Sequence, residues 1–180
     1  MKKVILYIVI LIGIVSVSLL VANYPLYYMY KFREMDANPL PDLTVYMDSY
    51  SVRYIAKCRL SNVVLRASAI NTIPKINKNN GKYFLKQLLI KEEYLWEKNY
   101  KKNVFLDESR SAIPEIYKVL YLSYGETAGL EYLIKNMNSD DELIRGWTRS
   151  ILSEICEKQK MDICAEIEIQ RKYKGPYKNP

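Results

Sequence analysis

The stretch Leu122–Ile155, LSYGETAGLEYLIKNMNSDDELIRGWTRSILSEI, reads as two amphipathic helices joined by a polar turn. In its first half Leu130, Leu133, Ile134 and Met137 fall at i, i+3, i+4 and i+7, one side of a helix. In its second half Leu143, Ile144, Trp147, Ile151, Leu152 and Ile155 share one half of the helical wheel, which makes Trp147 core rather than ligand platform. Glu142, Arg145 and Arg149 share the other half. Ser139 and Glu142 have the Ser-x-x-Glu spacing of a capping box. Asp141, four residues ahead of Arg145, is placed to pair with it, whereas Arg149 has only a like charge at that spacing.

The same unit recurs along the chain. NVVLRASAINTIPKI (62–76), DESRSAIPEIYKVL (107–120) and DELIRGWTRSILSEI (141–155) align on Arg66, Arg110 and Arg145, each with a polar start, an arginine and an apolar helical face. A turn and a second apolar segment follow each: NKNNGKYFLKQLLI, SYGETAGLEYLIKNM and EKQKMDICAEIEI. Leu85 and Leu88 come 19 and 22 residues after Arg66, Leu130 and Leu133 come 20 and 23 after Arg110, and Ile163 and Ile167 come 18 and 22 after Arg145. KEEYLWEKNYKKNV (91–104) reads as an insertion that breaks the period. No stretch alternates with period two for long enough to make a strand.

This pattern resembles HEAT repeats, best of all over 122–155, with a Gly-acid turn, a first helix, an Asp-containing turn and a second helix with an early Arg. The resemblance covers roughly residues 44–170. It implies stacked helical hairpins that bury together what none buries alone. It also implies that Arg66, Arg110 and Arg145 form a structural ladder with turn acids such as Asp107 and Asp140 or Asp141. Arg149 has no counterpart, since Pro114 and Ile70 stand at its place, and so becomes a candidate contact to something else. TPR hairpins are the nearest rival, but their Trp/Gly/Tyr pattern is not evident.

At the N-terminus, VILYIVILIGIVSVSLLVA from Val4 to Ala22 is 19 residues without a charge. As a helix it matches the ~30 Å hydrocarbon core of a bilayer. Lys2 and Lys3 precede it and Tyr24, Tyr27, Tyr28 and Tyr30 follow, as at an interfacial belt. A cleaved signal peptide is the competing reading, with Ser16-Val17-Ser18 as its cleavage pattern. The positive-inside rule puts the N-terminus in the cytoplasm, with Lys31 and Arg33 weakening that bias. The expected location is a bacterial inner membrane crossed once, with the bulk of the chain periplasmic.

The expected architecture is therefore all-α: a membrane anchor at 1–23, a juxtamembrane aromatic segment and Pro-containing linker (DANPLPD) at 24–42, a small α-solenoid of about three HEAT-like hairpins at 43–171, and a loose tail at 172–180.

Composition narrows the chemistry. Histidine is absent, which removes the usual general base and the commonest metal ligand. The serines lack Gly-x-Ser-x-Gly and Ser-x-x-Lys settings, and no acidic loop has calcium spacing. No enzyme, metal or cofactor is expected. With 27 basic and 20 acidic residues the charge is +7, too modest for a nucleic-acid footprint. It is uneven: residues 23–106 hold 14 basic and 7 acidic residues, residues 107–180 hold 11 and 13. Cys156 and Cys164 can form a disulfide in an oxidising compartment, leaving Cys58 buried; three reduced thiols packed as small apolar groups are the alternative.

Another protein is the expected partner. Candidate contacts are Arg149 and the aromatic and lysine run Tyr94, Trp96, Tyr100, Lys101 and Lys102, suited to an acidic partner or anionic headgroups. Size, anchor and missing catalytic groups suit an immunity or inhibitor protein against an envelope-acting toxin. The alternatives are an adaptor in an envelope or secretion assembly and, in another class, an enzyme or cofactor-lyase-like helical protein.

Overall fold

The computed structural model describes residues 2–31, 42–100, 107–159 and 164, and every described element is helical. The order is α1 (Lys2–Lys31), a 3-10 turn (Leu43–Val45), α2 (Ser49–Lys57), α3 (Val63–Ile76), α4 (Lys78–Tyr100), α5 (Asp107–Tyr124), α6 (Thr127–Asn136) and α7 (Glu142–Gln159). The chain divides into two compact units, 1–72 and 73–180, with α3 running from one into the other.

In the first unit α1 packs against α2. The aromatic segment after the apolar run is helical, since α1 continues through Tyr30 to Lys31. Residues 32–41, most of the expected linker, lie outside the described residues. Asp42 caps the 3-10 turn through Thr44 N, Asp48 caps α2 through Ser51 N at 2.7 Å, and Asn62 opens α3 by accepting from Val64 N at 2.7 Å. These Asx acceptors satisfy amides that have no partner inside their helices. Leu43, Val52, Ile55, Ala56, Leu65 and Ile70 are buried. Arg66 is buried with them, its Nε donating to Ala56 O at 3.0 Å, which ties α3 to the end of α2. Cys58 is half-buried, not buried, because it sits at the C-cap of α2.

Among the described residues no helix is long and apolar enough to cross a membrane. The side chains described in α1 are those of 7–18 and 25–31. From Tyr7 to Val17 its large apolar side chains are 49–71% exposed.

In the second unit α4, α5 and α6 lie side by side, and α7 packs on both α5 and α6. α5 and α7, the two arginine-bearing helices, are thus neighbours. Leu133, Met137, Ile151, Leu152 and Ile155 form one core, with Tyr121, Leu130, Tyr132 and Cys156 packed at its edge. Of the apolar faces read from the sequence, Ile134 on α6 is exposed, and on α7 Leu143 is exposed and Trp147 is half-buried, so the face α7 buries is narrower than its apolar half. Lys91–Tyr100, the described part of the stretch read as an insertion, continues α4 without a break. Glu157–Gln159, expected as the start of a turn, belongs to α7. Residues 160–163 and 165–180, which hold that expected helix and the tail, lie outside the described residues.

Glycine is required at two positions here, one a close helix approach and one a turn. A Cβ at Gly129 would collide with Tyr117 O and come within 3.1 Å of Tyr121 Cβ, so α6 reaches α5 only because that position has no side chain. Gly125 takes φ 68°, the left-handed turn that ends α5, with its amide on Tyr121 O at 3.0 Å.

Candidate functional site

α4 is opened by Asn77, which accepts from Asn80 N at 3.0 Å and Gly81 N at 2.7 Å. With no Pro or Gly after Gly81 it runs on to Tyr100. Its inner face is Leu85, Leu88, Leu89 and Glu92, all buried. Its outer face carries Tyr83, Ile90 and Tyr94, exposed by 69%, 60% and 62%. The spacing i, i+7, i+11 puts the three on one ridge. Exposed Lys91 and Lys98 flank it on one side and exposed Lys86 on the other, with Lys98 Nζ 5.9 Å from the Tyr94 ring.

Beside this ridge a groove of about 280 Å³ is lined by Leu89, Ile90, Leu120, Ala128 and Gly129, together with Tyr117 and the ion pair of Lys86 and Glu126. Glu126 Oε1 lies 2.5 Å from Lys82 Nζ and 2.9 Å from Lys86 Nζ, which fastens the α5–α6 turn to α4. Hydrogen bonds from Lys82 and Lys86 hold the Glu126 carboxyl at about 2, well below the ordinary carboxylate value.

Deeper in the unit, Tyr117 OH donates to Glu93 Oε1 at 2.7 Å, and its ring stacks on Tyr132 at 4.0 Å. Burial, and after it the Glu93 carboxylate, pushes the Tyr117 phenol up. Burial does the same to Tyr132, with Tyr117, Glu93 and Asp141 adding to it. Both phenols therefore stay protonated throughout the ordinary pH range. Lys118, buried, lies 2.8 Å from Glu115 and 3.2 Å from Glu154, which links α5 to α7.

The arginines divide differently from the sequence reading. Arg110 Nη2 pairs with Asp141 Oδ2 at 2.8 Å, and its guanidinium lies 5.5 Å from the Trp96 ring. This ion pair joins α5 to the start of α7. Arg145 does not pair with Asp141; it donates to Ser139 O at 2.6 Å. Arg149 Nε donates to Met137 O at 2.7 Å and Nη2 to Asn138 Oδ1 at 3.1 Å. Arg149, the candidate outward contact, is therefore engaged in the α6–α7 turn. Asp141, not the Ser139–Glu142 box, caps α7, accepting from Leu143 N and Ile144 N at 3.1 Å each. Ser139 Oγ instead accepts from Asp141 N at 3.2 Å, one step earlier in the turn.

Of the aromatic and lysine run, Tyr94 is on the exposed ridge and Trp96 is half-buried against Arg110. The Tyr100 side chain and residues Lys101 and Lys102 lie outside the described residues, as does the Asp107 side chain. Tyr83 and Ile90 were not among the sequence candidates, yet the structure aligns them with Tyr94. The signal was there in the seven-residue spacing from Tyr83 to Ile90, once α4 is read as one helix. Cys156 and Cys164 are joined in a disulfide. Among the described residues no cluster of carboxylates and thiols is arranged to hold a metal. Comparison with known protein families, with curated proteins and with solved structures finds no match.

Proposed function

We propose that the chain is a membrane-anchored module that binds another protein through the outer face of α4. The observation that carries this is the ridge of Tyr83, Ile90 and Tyr94. Three large side chains, each more than half exposed, crown a helix whose inner face already fills the core. Monomeric surfaces rarely leave such a row uncovered, and tyrosine gives contact area and a hydrogen bond at low entropy cost. Lys91 and Lys98, exposed together on one side of the ridge, favour an acidic segment presenting apolar side chains, docked along α4, while Lys86 on the other side is taken up by Glu126. The adjacent groove favours binding over turnover, because its carboxylate is held by two lysines and its phenol stays neutral.

The anchor is α1. Its described side chains alone do not make a full span, but Val4–Ala22 is uncharged throughout and has the length of one. Leaving the apolar side chains of 7–17 in water forgoes about 1.5–3 kcal/mol for each that a bilayer would cover. Stacked helical hairpins of the HEAT kind, the bacterial inner membrane and a periplasmic domain complete the proposal. In its narrowest form the partner is an envelope-acting toxin that this protein neutralises.

Site-specific photo-cross-linking in cells that make the protein naturally tests the binding face. A cross-linker at Ile90 is expected to trap a discrete adduct that Lys91→Glu with Lys98→Glu abolishes. An adduct equally formed from Glu131, or unaffected by the charge reversal, contradicts the proposal. The toxin version stands if expressing the protein protects cells from the toxin encoded beside it, and falls if survival is unchanged.

A further inference from the structure

The groove beside the α4 ridge lies wholly within the second unit, between α4, α5 and α6. Ile90 belongs to both features, as the middle of the exposed ridge and as part of the groove wall. The hollow is held open by three separate contacts. Gly129 in its wall admits no side chain, since a Cβ there would collide with Tyr117 O. Tyr117 is fixed twice, its hydroxyl on Glu93 Oε1 at 2.7 Å and its ring stacked on Tyr132. Glu126, just before α6, is tied to α4 through Lys82 and Lys86. A hollow formed in advance receives a side chain without rearrangement, which removes one cost of binding.

The chemistry of its occupant follows from what surrounds it. Lys82 and Lys86 are engaged with Glu126, and the Tyr117 hydroxyl with Glu93, so what the groove presents is mainly the aliphatic wall of Leu89, Ile90, Leu120 and Ala128. Glu97, exposed one turn beyond Glu93 on the same side of α4, disfavours an acidic group there. On the far side of the ridge Lys91 and Lys98 are exposed and attract one. The volume of about 280 Å³ falls just below the range of small-molecule sites, about 300–1,000 Å³, and suits one bulky side chain.

We infer that the groove receives a single bulky apolar side chain from the acidic segment that docks on α4, with the acids of that segment turned across the ridge to Lys91 and Lys98. This rests on the binding reading of the α4 face. The two halves of the contact do different things. The lysines draw in an acidic segment, and the groove selects those that carry an apolar anchor about one helix width, roughly 10 Å, from their acids.

Full-length protein in phospholipid nanodiscs is titrated with acetylated, amidated peptides of glutamate and alanine that carry either phenylalanine or alanine at one central position. The expected result is roughly tenfold tighter binding of the phenylalanine peptide, with saturable shifts of the Ala128 methyl and Gly129 amide resonances. Ala128→Trp, which fills the groove from an exposed position, should abolish that preference, and Ala128→Ser should keep it. Lys91→Glu with Lys98→Glu should weaken both peptides alike. Equal binding of the two peptides, lost on charge reversal, overturns this inference and leaves binding by the α4 face standing. A phenylalanine preference that survives Ala128→Trp puts the anchor elsewhere and also overturns it. Binding of neither peptide removes the anchor and the acidic partner together. Self-association of the natural protein that Ala128→Trp abolishes, read by sedimentation, would give the groove to a second copy of this chain and overturn the inference as well. If Ala128→Trp does not fold, the comparison of the two peptides on the natural protein decides alone.

Discussion

Arg110 Nη2 lies 2.8 Å from Asp141 Oδ2, so the carboxylate that caps α7 also fastens α7 to α5. Both side chains are mostly shielded from water, at 13% exposure each, which keeps the pair from being screened as a surface pair is. Asp141→Asn should preserve the cap and lose the pair, whereas Asp141→Ala should lose both and cost about 1 kcal/mol more. A double-mutant cycle of Asp141→Asn with Arg110→Ala, read by urea denaturation, should give a coupling energy of about 1 kcal/mol. Additive single effects would mean the pair contributes nothing.

Gly129→Ala places a methyl group against Tyr117 O, a backbone atom that moves only if α5 and α6 separate. It should destabilise the protein by about 1–3 kcal/mol, as overpacking does, despite alanine's better helix propensity. Ala128→Gly, on the same helix but exposed, provides the comparison and should cost no more than the propensity difference of about 1 kcal/mol. Thermal denaturation distinguishes them.

The Glu126 carboxyl, ordinarily at 4.5, is held at about 2 by Lys82 and Lys86. A lowered carboxylate stabilises the fold above its unfolded value and loses that contribution as pH falls through its folded value. The Tm advantage of the natural protein over Glu126→Gln should therefore be full above 4.5 and shrink progressively toward about 2. Because the carboxylate is at the surface, the advantage should also fall with added salt.

The Cys156–Cys164 disulfide closes a short loop, with a sequence separation of 8, at the end of α7. By loop-closure entropy, reduction or Cys164→Ser should cost about 2–3 kcal/mol. Denaturant midpoints with and without reductant measure this, and an unchanged midpoint would count against it.

Much of the second unit was legible because its apolar periodicity is strong: Leu133, Met137, Ile151, Leu152 and Ile155 are all in the core the pattern assigns them. The arginines were not, because Arg145 and Arg149 bond backbone carbonyls of Ser139 and Met137, and an acceptor that every residue carries leaves no mark in the sequence. The cap was misplaced for a related reason. Ser139 and Asp141 are both good caps two residues apart, and only the backbone path decides that Asp141 reaches two amides. The ridge of α4 was split because the run from Lys91 interrupts the repeat spacing and was read apart from the segment ending at Ile90, while nothing in it breaks a helix. Cys58 was expected inside on its general preference, and the C-cap of α2 leaves it half-covered.

The most direct measurement of the central proposal is hydroxyl-radical footprinting of the protein at natural abundance in native membranes, against the purified protein in detergent. Oxidation of Tyr83, Ile90 and Tyr94 should be several-fold slower in the membranes, while Leu143, exposed on α7, should react at the same rate in both. Equal rates for Tyr83, Ile90 and Tyr94 in the two preparations would show that the α4 ridge stays uncovered where the protein works, and would contradict the proposal.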